Sequence, residues 1–177
     1  MEKSSGQNAS EVFDVVDESD NVVSQNTRGF IHENGLMHRA VHAVFLDGKG
    51  SILLQKRSKK KDSYPLAYTT SCSGHVDAGE SYEAALVRET REELGVEIEF
   101  SKFQKVGKIP ACKETGNEFT GVYFIVFNGE FKTPPDEVDS VEWAKISDFE
   151  KLAKENPEKF TPSFLKVYEF FKAKSNL

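Results

Sequence analysis

The spacing of apolar and polar residues predicts short strands in the first third of the chain. Apolar segments flank polar turns in two places, and this arrangement is typical of β-hairpins. The strands of these two predicted hairpins are residues 12–16 with 22–23 and residues 38–46 with 51–56. Residues 28–33, which lie between the hairpins, favour a helical turn.

The rest of the chain mixes strand and helix patterns. Strands are predicted at residues 68–73, 97–100, 103–109, 118–127 and 140–143. Helices are predicted at residues 81–94, where Gly95 ends the helix, and at residues 147–155 and 162–173. This order predicts an α/β layered fold in one domain at residues 11–177, after a polar, disordered start at residues 1–10.

Composition narrows the possible functions. The chain has 177 residues and a net charge of −6, which argues against general binding of nucleic acid. No segment approaches the roughly 20 apolar residues of a membrane span. Cys72 and Cys112 are too few for a disulfide framework, so a reducing, cytoplasmic location is expected. We expect Tyr123, Phe127 and Trp143 to be core residues and not base-stacking groups.

Three carboxylates on one predicted helix suggest metal chemistry. Glu89, Glu92 and Glu93 stand at positions i, i+3 and i+4, which places them on one helix face. Each like-charged pair costs roughly 0.2–0.5 kcal/mol in an isolated helix, so the cluster favours a bound cation. Such oxygen ligands suit Mg²⁺ or Mn²⁺. An acidic helix face alone is more often a solvated surface.

The segment before this helix makes a functional site the better interpretation. Gly74-His75-Val76-Asp77-Ala78-Gly79-Glu80 is a loop bounded by glycines, which allows the backbone to approach an ion or a phosphate. Loop and helix together resemble the Nudix box, Gly-x5-Glu-x7-Arg-Glu-U-x-Glu-Glu-x-Gly-U, where U is a bulky aliphatic residue. The matching residues are Gly74, Glu80, Arg88, Glu89, Glu92, Glu93, Gly95 and Val96, while Thr90 replaces the first U.

This resemblance implies a fold and a set of roles. The fold is a mixed β-sheet sandwiched between helices, here with an N-terminal β-hairpin. Glu92, Glu93 and the Gly74 carbonyl would bind the metal ion. Glu89 would be a further ligand or the base that deprotonates the attacking water. Arg88 would orient a glutamate.

Two further glutamates have implied roles. Glu80 would support the site from outside the ligand shell. Glu118 is the candidate for an additional metal-binding carboxylate outside the box, and an exposed strand charge is the alternative interpretation.

Beyond the box, residues 12–171 resemble the Nudix branch that includes type I isopentenyl-diphosphate isomerase. The resemblance is carried by residues 37–42, 56–61 with 64–65, 70–75 and 160–164. Arg57 and Lys61 align with residues that hold the substrate diphosphate, although a solvated loop is the alternative. His38 and His75 fit positions of the isomerase metal site, whereas Gly116 stands where that site has a glutamate.

The isomerase also needs a cysteine directly before the Gly-His pair, and Ser73 stands there. Cys72 is displaced by one residue, which on a strand places it on the other face. A serine hydroxyl is a poor proton donor compared with a thiol. Since all box carboxylates are present, hydrolysis is the favoured activity.

The sequence therefore predicts a Mg²⁺-dependent or Mn²⁺-dependent hydrolase. It would cleave a diphosphate linkage in a nucleoside di- or triphosphate or in a related diphosphate linked to a group X. The alternatives are isopentenyl-diphosphate isomerase and a non-catalytic module that binds a phosphorylated metabolite. The expected partner is a small phosphorylated metabolite, and the N-terminal hairpin is a possible homodimer element.

Overall fold

The computed structural model describes residues 9–175, and its first element is the predicted N-terminal hairpin. β1 (Val12–Val16) and β2 (Val22–Thr27) pair antiparallel. Asp17 stabilises the turn between them by accepting hydrogen bonds from backbone N–H groups. The helix α1 (Arg28–Glu33) follows directly, and Thr27 is its N-cap. Residues 1–8 of the predicted disordered start lie outside the described residues.

A long strand, β3 (His38–Leu46), organises the main sheet. It pairs parallel with β8 (Glu118–Val126) and antiparallel with β6 (Cys72–His75). β7 (Gln104–Ile109) extends this half of the sheet by pairing antiparallel with β8. The parallel register places His38 directly beside Glu118.

The other half of the sheet forms around β4 (Ser51–Arg57). This strand pairs antiparallel with β9 (Val138–Lys145) and with β5 (Tyr68–Thr69). β3 and β4 are paired at Leu46 and Ile52 alone. The second predicted hairpin is therefore wrong beyond its turn, because β3 and β4 diverge and bind different neighbours.

Helices cover both faces of the sheet, as predicted. They are α2 (Tyr82–Leu94), α3 (Ile146–Glu155) and α4 (Pro162–Ser175). Alternate residues of β3 enter two different cores. Val41, Ala43 and Phe45 pack in the core that contains Leu86 and Leu94 of α2, while Val44 and Leu46 pack in the core that contains Phe149, Phe164 and Phe171. None of the helices within residues 9–175 is long and apolar enough to cross a membrane.

Three local predictions need correction. The predicted strand 68–73 is two short strands, β5 and β6, which pair with different partners. Residues 97–100 form no strand, although Ile98 is buried; they pack on the core without a neighbouring strand to pair with. Trp143 is 39% exposed and not a core residue, because its ring contacts Phe131 at the edge of the core, where Phe131 is itself only partly buried. Tyr123 is fully buried, as expected.

Candidate active site

A cavity of about 730 Å³ lies where the N-terminal hairpin, the loop before α2 and the start of α4 meet. This volume is typical of a site for a small ligand. The wall includes eight residues that the sequence analysis predicted for a hydrolase site, namely Arg57, Lys61, Gly74, Arg88, Glu89, Glu92, Glu93 and Glu118, whereas Glu80 and His38 are not among its residues. The structure therefore brings these separate segments together around one space.

The ends of α2 fix the direction of its acidic face. Ser81 is the N-cap and accepts a hydrogen bond from the backbone N–H of Ala84 at 3.1 Å. Gly95 ends the helix in the left-handed conformation, with φ 66°. A Cβ at this position would lie 2.2 Å from the carbonyl oxygen of Lys132. Local sequence and tertiary packing thus agree on where the helix begins and ends.

Glu93 is the most deeply held carboxylate of the box. Only 7% of the surface of Glu93 is exposed to solvent. One carboxylate oxygen accepts hydrogen bonds from the backbone N–H of Ser73 at 3.0 Å and from Gln55 Nε2 at 2.9 Å. Burial nevertheless raises the pKa of Glu93 above its ordinary value. Gln55 could not be predicted as a partner of Glu93, because it lies on β4, 38 positions away in the chain.

Glu89 is packed against the backbone of Gly74. A Cβ added to Gly74 would lie 1.9 Å from Glu89 Cδ. The glycine is required by this close approach and not by a turn, since Gly74 lies within β6. Burial, followed by repulsion from Glu93, raises the pKa of Glu89 well above its ordinary value.

Arg88 connects the acidic residues of the loop and the helix. Its guanidinium donates two hydrogen bonds to Glu80, at 3.0 and 2.8 Å. It also donates to Glu89 at 2.6 Å, to Glu92 at 3.2 Å and to the His75 carbonyl at 2.9 Å. Burial alone would lower the pKa of Arg88, but Glu80 and Glu89 raise it.

These contacts fit a divalent cation beside the box. Glu89 and Glu93 are both desolvated and repel each other. Arg88 compensates part of that charge, yet its hydrogen bonds also go to Glu80, which is not among the wall residues. Glu89, Glu92 and Glu93 all line the cavity, and carboxylate oxygens are the donors that Mg²⁺ or Mn²⁺ prefers.

A second candidate cation site lies beside the first. Ring nitrogens of His32, His38 and His75 lie within 4.8 Å of one another. His38 is 1% exposed, and its Nδ1 is 3.0 Å from the carbonyl oxygen of Leu36. Since a carbonyl oxygen only accepts, His38 Nδ1 is the donor of this hydrogen bond, and Nε2 is the ring nitrogen that faces Glu118. His32 was missed at the sequence level, because α1 has no motif that links it to the box.

Glu118 completes this histidine cluster. Its Oε1 is 3.1 Å from His75 Nε2 and 3.5 Å from His38 Nε2. Burial alone would raise the pKa of Glu118, but the neighbouring His38 and His75 rings hold it well below its usual range. The alternative of an exposed strand charge is wrong, since the side chain is 13% exposed.

The basic loop after β4 also reaches the cavity. Arg57 donates a hydrogen bond to the Ser63 carbonyl at 3.1 Å, and burial lowers its pKa. Lys61 pairs with Glu137, and its side chain is 8% exposed. The solvated-loop alternative is therefore wrong for Lys61, and Arg57 lines the same wall.

Cys72 and Ser73 lie on opposite sides of β6, as expected. Cys72 is fully buried in the core beneath α2, where its sulfur is 3.8 Å from Thr90 Oγ1. Burial raises the pKa of this thiol well above its usual value. Ser73 lines the cavity.

His42 is buried, and its Nδ1 is 2.6 Å from Thr70 Oγ1, as expected of a packed histidine. It also borders the cavity.

Replacement of Gly74 tests the close approach to Glu89. We expect Gly74→Ala to lower kcat about 100-fold, because the new methyl group must displace the Glu89 carboxylate by roughly an ångström or more. Steady-state kinetics and a metal titration would measure this. Gly29→Ala is the matched control, since a Cβ at Gly29 would lie 3.5 Å from its nearest neighbour and Gly29 is not among the wall residues. A Gly74→Ala protein with normal kcat would show that the position of Glu89 is unimportant.

Proteins of a known family match most of this chain. Residues 36–164 match the family model described as the NUDIX domain. The chain is 34% identical over 160 residues to an isopentenyl-diphosphate Δ-isomerase of Serratia proteamaculans, covering 89% of each chain. It is 34% identical over 156 residues to a prenyl-diphosphate phosphatase of Methanosarcina mazei, covering 84% of this chain and 87% of the relative.

A solved structure shows the same fold. The crystal structure of DR0079 from Deinococcus radiodurans superimposes with a TM-score of 0.72 at 27% identity. The match covers 82% of this chain and 90% of that protein.

Proposed function

The chain belongs to the Nudix hydrolase family, and on this premise we propose that it cleaves a diphosphate linkage with Mg²⁺ or Mn²⁺ as cofactor. Its substrate would be a nucleoside di- or triphosphate or a related diphosphate linked to a group X. The observation that carries this proposal is the pair of carboxylates of Glu89 and Glu93 in the wall of a ligand-sized cavity, where the Glu89 side chain is 14% exposed and Glu93 is 7% exposed.

The residues of the chain have distinct tasks in this proposal. Glu92, Glu93 and the Gly74 carbonyl would hold the metal ion, with Glu118 as a further ligand. A bound divalent ion would neutralise the diphosphate and lower the pKa of an attacking water. Arg57 and Lys61 would bind phosphate oxygens, and Arg88 keeps Glu89 in place through its 2.6 Å hydrogen bond.

Hydrolysis then needs one water molecule and no covalent nucleophile. The water oxygen bonds to phosphorus while the bridging P–O bond breaks, and the released oxygen leaves on the other phosphate. Glu89 either accepts the proton of the water or completes the ligand set. Its burial beside Gly74 suits both tasks, because a desolvated carboxylate binds a proton or a cation strongly.

Isomerisation of isopentenyl diphosphate is the second candidate function. The cluster of His32, His38, His75 and Glu118 favours it, and one relative is named for this activity. The lack of a thiol at the position of the proton donor argues against isomerisation. Ser73 occupies the wall, while the Cys72 thiol is buried in the core on the other side of the strand.

A metal-dependent screen would test both functions. The protein would be incubated with Mg²⁺ and nucleotides, nucleotide sugars, dinucleoside polyphosphates or prenyl diphosphates, and released phosphate would be measured after coupling enzymes. We expect hydrolysis that EDTA abolishes. Isopentenyl diphosphate should give no allylic isomer in the same incubation.

The possible results separate the candidates. Efficient formation of the allylic isomer without phosphate release would support the isomerase and contradict hydrolysis. Binding of these compounds with no turnover of any of them would leave the non-catalytic module as the better account.

A further inference from the structure

Two neighbouring ion pairs join the basic loop to the segment before β9. The backbone N–H of Ser58 donates to the Glu137 carbonyl at 3.2 Å, and Ser58 Oγ donates to the Pro135 carbonyl at 3.1 Å. Two salt bridges run alongside these hydrogen bonds, Lys60 with Asp136 and Lys61 with Glu137. These contacts hold the two segments side by side.

The two ion pairs have very different surroundings. The side chains of Lys61 and Glu137 are 8% and 26% exposed, and both residues line the cavity. Those of Lys60 and Asp136 are 56% and 39% exposed, and neither is among the wall residues. One lysine–carboxylate pair, Lys61 with Glu137, therefore lies at the site, and the other, Lys60 with Asp136, lies at the surface.

The positive charge of Lys61 is neutralised by a carboxylate at the position where the proposed function places a substrate phosphate. Its ammonium group contacts Glu137, whereas Arg57 donates to the neutral Ser63 carbonyl. Both Lys61 and Glu137 lie close enough to Glu93 to act on its charge. A diphosphate held beside Glu93 must therefore compete with Glu137 for Lys61, or bind next to an anion that repels it.

We propose that Glu137 is a positioning residue whose carboxylate occupies Lys61 until a substrate phosphate replaces it, so that this exchange sets the affinity of the site for diphosphate. The proposal rests on the proposed function, since it places the diphosphate beside Glu93. Exchange of one anionic partner for another keeps Lys61 neutralised in both states. The free energy gained when diphosphate binds is then smaller by the free energy needed to break the Lys61–Glu137 ion pair.

Binding of methylenediphosphonate, a diphosphate that hydrolases cannot cleave at its bridge, would test this proposal. Isothermal titration at a fixed excess of Mg²⁺ would compare the wild type with Glu137→Gln and with Asp136→Asn. We expect Glu137→Gln to bind about 3- to 10-fold tighter, because Lys61 no longer has to leave a carboxylate. Asp136→Asn is the matched control, and it should bind as the wild type does.

A double-mutant cycle with Lys61→Met separates exchange from simple repulsion. If Glu137 acts through Lys61, Glu137→Gln should have no effect in the Lys61→Met background. An equal gain in both backgrounds would overturn the proposal, since Glu137 would then act by its own charge. Steady-state kinetics on a hydrolysed substrate should show a lower KM for Glu137→Gln at a similar kcat.

The measured affinities for methylenediphosphonate could also contradict the proposed exchange at Lys61. Weaker binding by Glu137→Gln would overturn the proposal and show that Glu137 holds Lys61 in its productive position. Affinity equal to that of the wild type would overturn it as well. If the wild type itself binds no methylenediphosphonate, the proposed diphosphate site is wrong, and this inference fails with it.

Discussion

Glu93→Gln should lower kcat by about three orders of magnitude or more while the fold is retained. Glu93 lies at the centre of the proposed metal site, where Gln55 and the Ser73 backbone hold its carboxylate. An amide keeps the shape and one acceptor oxygen but removes the charge that a divalent cation requires. The loss should therefore appear in kcat and in metal affinity together.

The metal-free Glu93→Gln protein should be as stable as the wild type or more stable. Burial raises the pKa of Glu93 in the folded state, so the folded protein holds this proton more tightly than the unfolded chain does. Stability is therefore lost as the pH rises from the unfolded pKa through the folded pKa. At neutral pH the amide removes this unfavourable charge.

Kinetics, a Mg²⁺ titration and thermal unfolding would measure these effects. Glu83→Gln is a matched control, because Glu83 is on the same helix but is not among the wall residues. Mg²⁺ should raise the Tm of the wild type and of the control, but not that of Glu93→Gln. Near-normal turnover by Glu93→Gln would exclude Glu93 as a metal ligand.

Arg88→Met should disrupt both the stability and the activity of the protein. It removes the cation that contacts Glu80, Glu89, Glu92 and the His75 carbonyl. We expect the free energy of unfolding to fall by about 3 kcal/mol, because buried carboxylates lose their partner. The value of kcat should fall about 100-fold or more, since Glu89 is no longer held in place.

Two further variants would show whether geometry or charge matters at this position. Arg88→Lys keeps the charge but cannot bridge several carboxylates at once, so it should recover only part of the stability and little activity. Arg91→Met is the control, since Arg91 is exposed on the same helix. An Arg88→Met protein as stable and active as Arg91→Met would contradict the role given to Arg88.

The loop and helix of the box could be predicted because local residues specify them. Ser81 and Gly95 bound α2 at both ends, and the spacing of the glutamates fixes their common face. The burial of Thr90, whose hydroxyl bonds to the Leu86 carbonyl at 2.7 Å, agrees with a packing substitution in the box. Short-range signals of this kind need no knowledge of the tertiary fold.

Features that depend on distant segments could not be predicted in the same way. His32 joins His38 and His75 because α1 packs on β1, where Ile31 shares a small core with Phe13 and Val15. Glu137 meets Lys61 across 76 positions of sequence. The divergence of β3 and β4 likewise follows from their separate partners β8 and β9, although the turn between them has a clear hairpin signal.

Attack of water on phosphorus at the box would be tested most directly by an isotope experiment. The substrate found by the screen would be hydrolysed with Mg²⁺ in H₂¹⁸O, and the products would be analysed by ³¹P NMR and mass spectrometry. We expect one ¹⁸O atom on a phosphate product for each bond cleaved. Label on the group X instead, with unlabelled phosphate, would show attack on carbon and contradict hydrolysis at phosphorus.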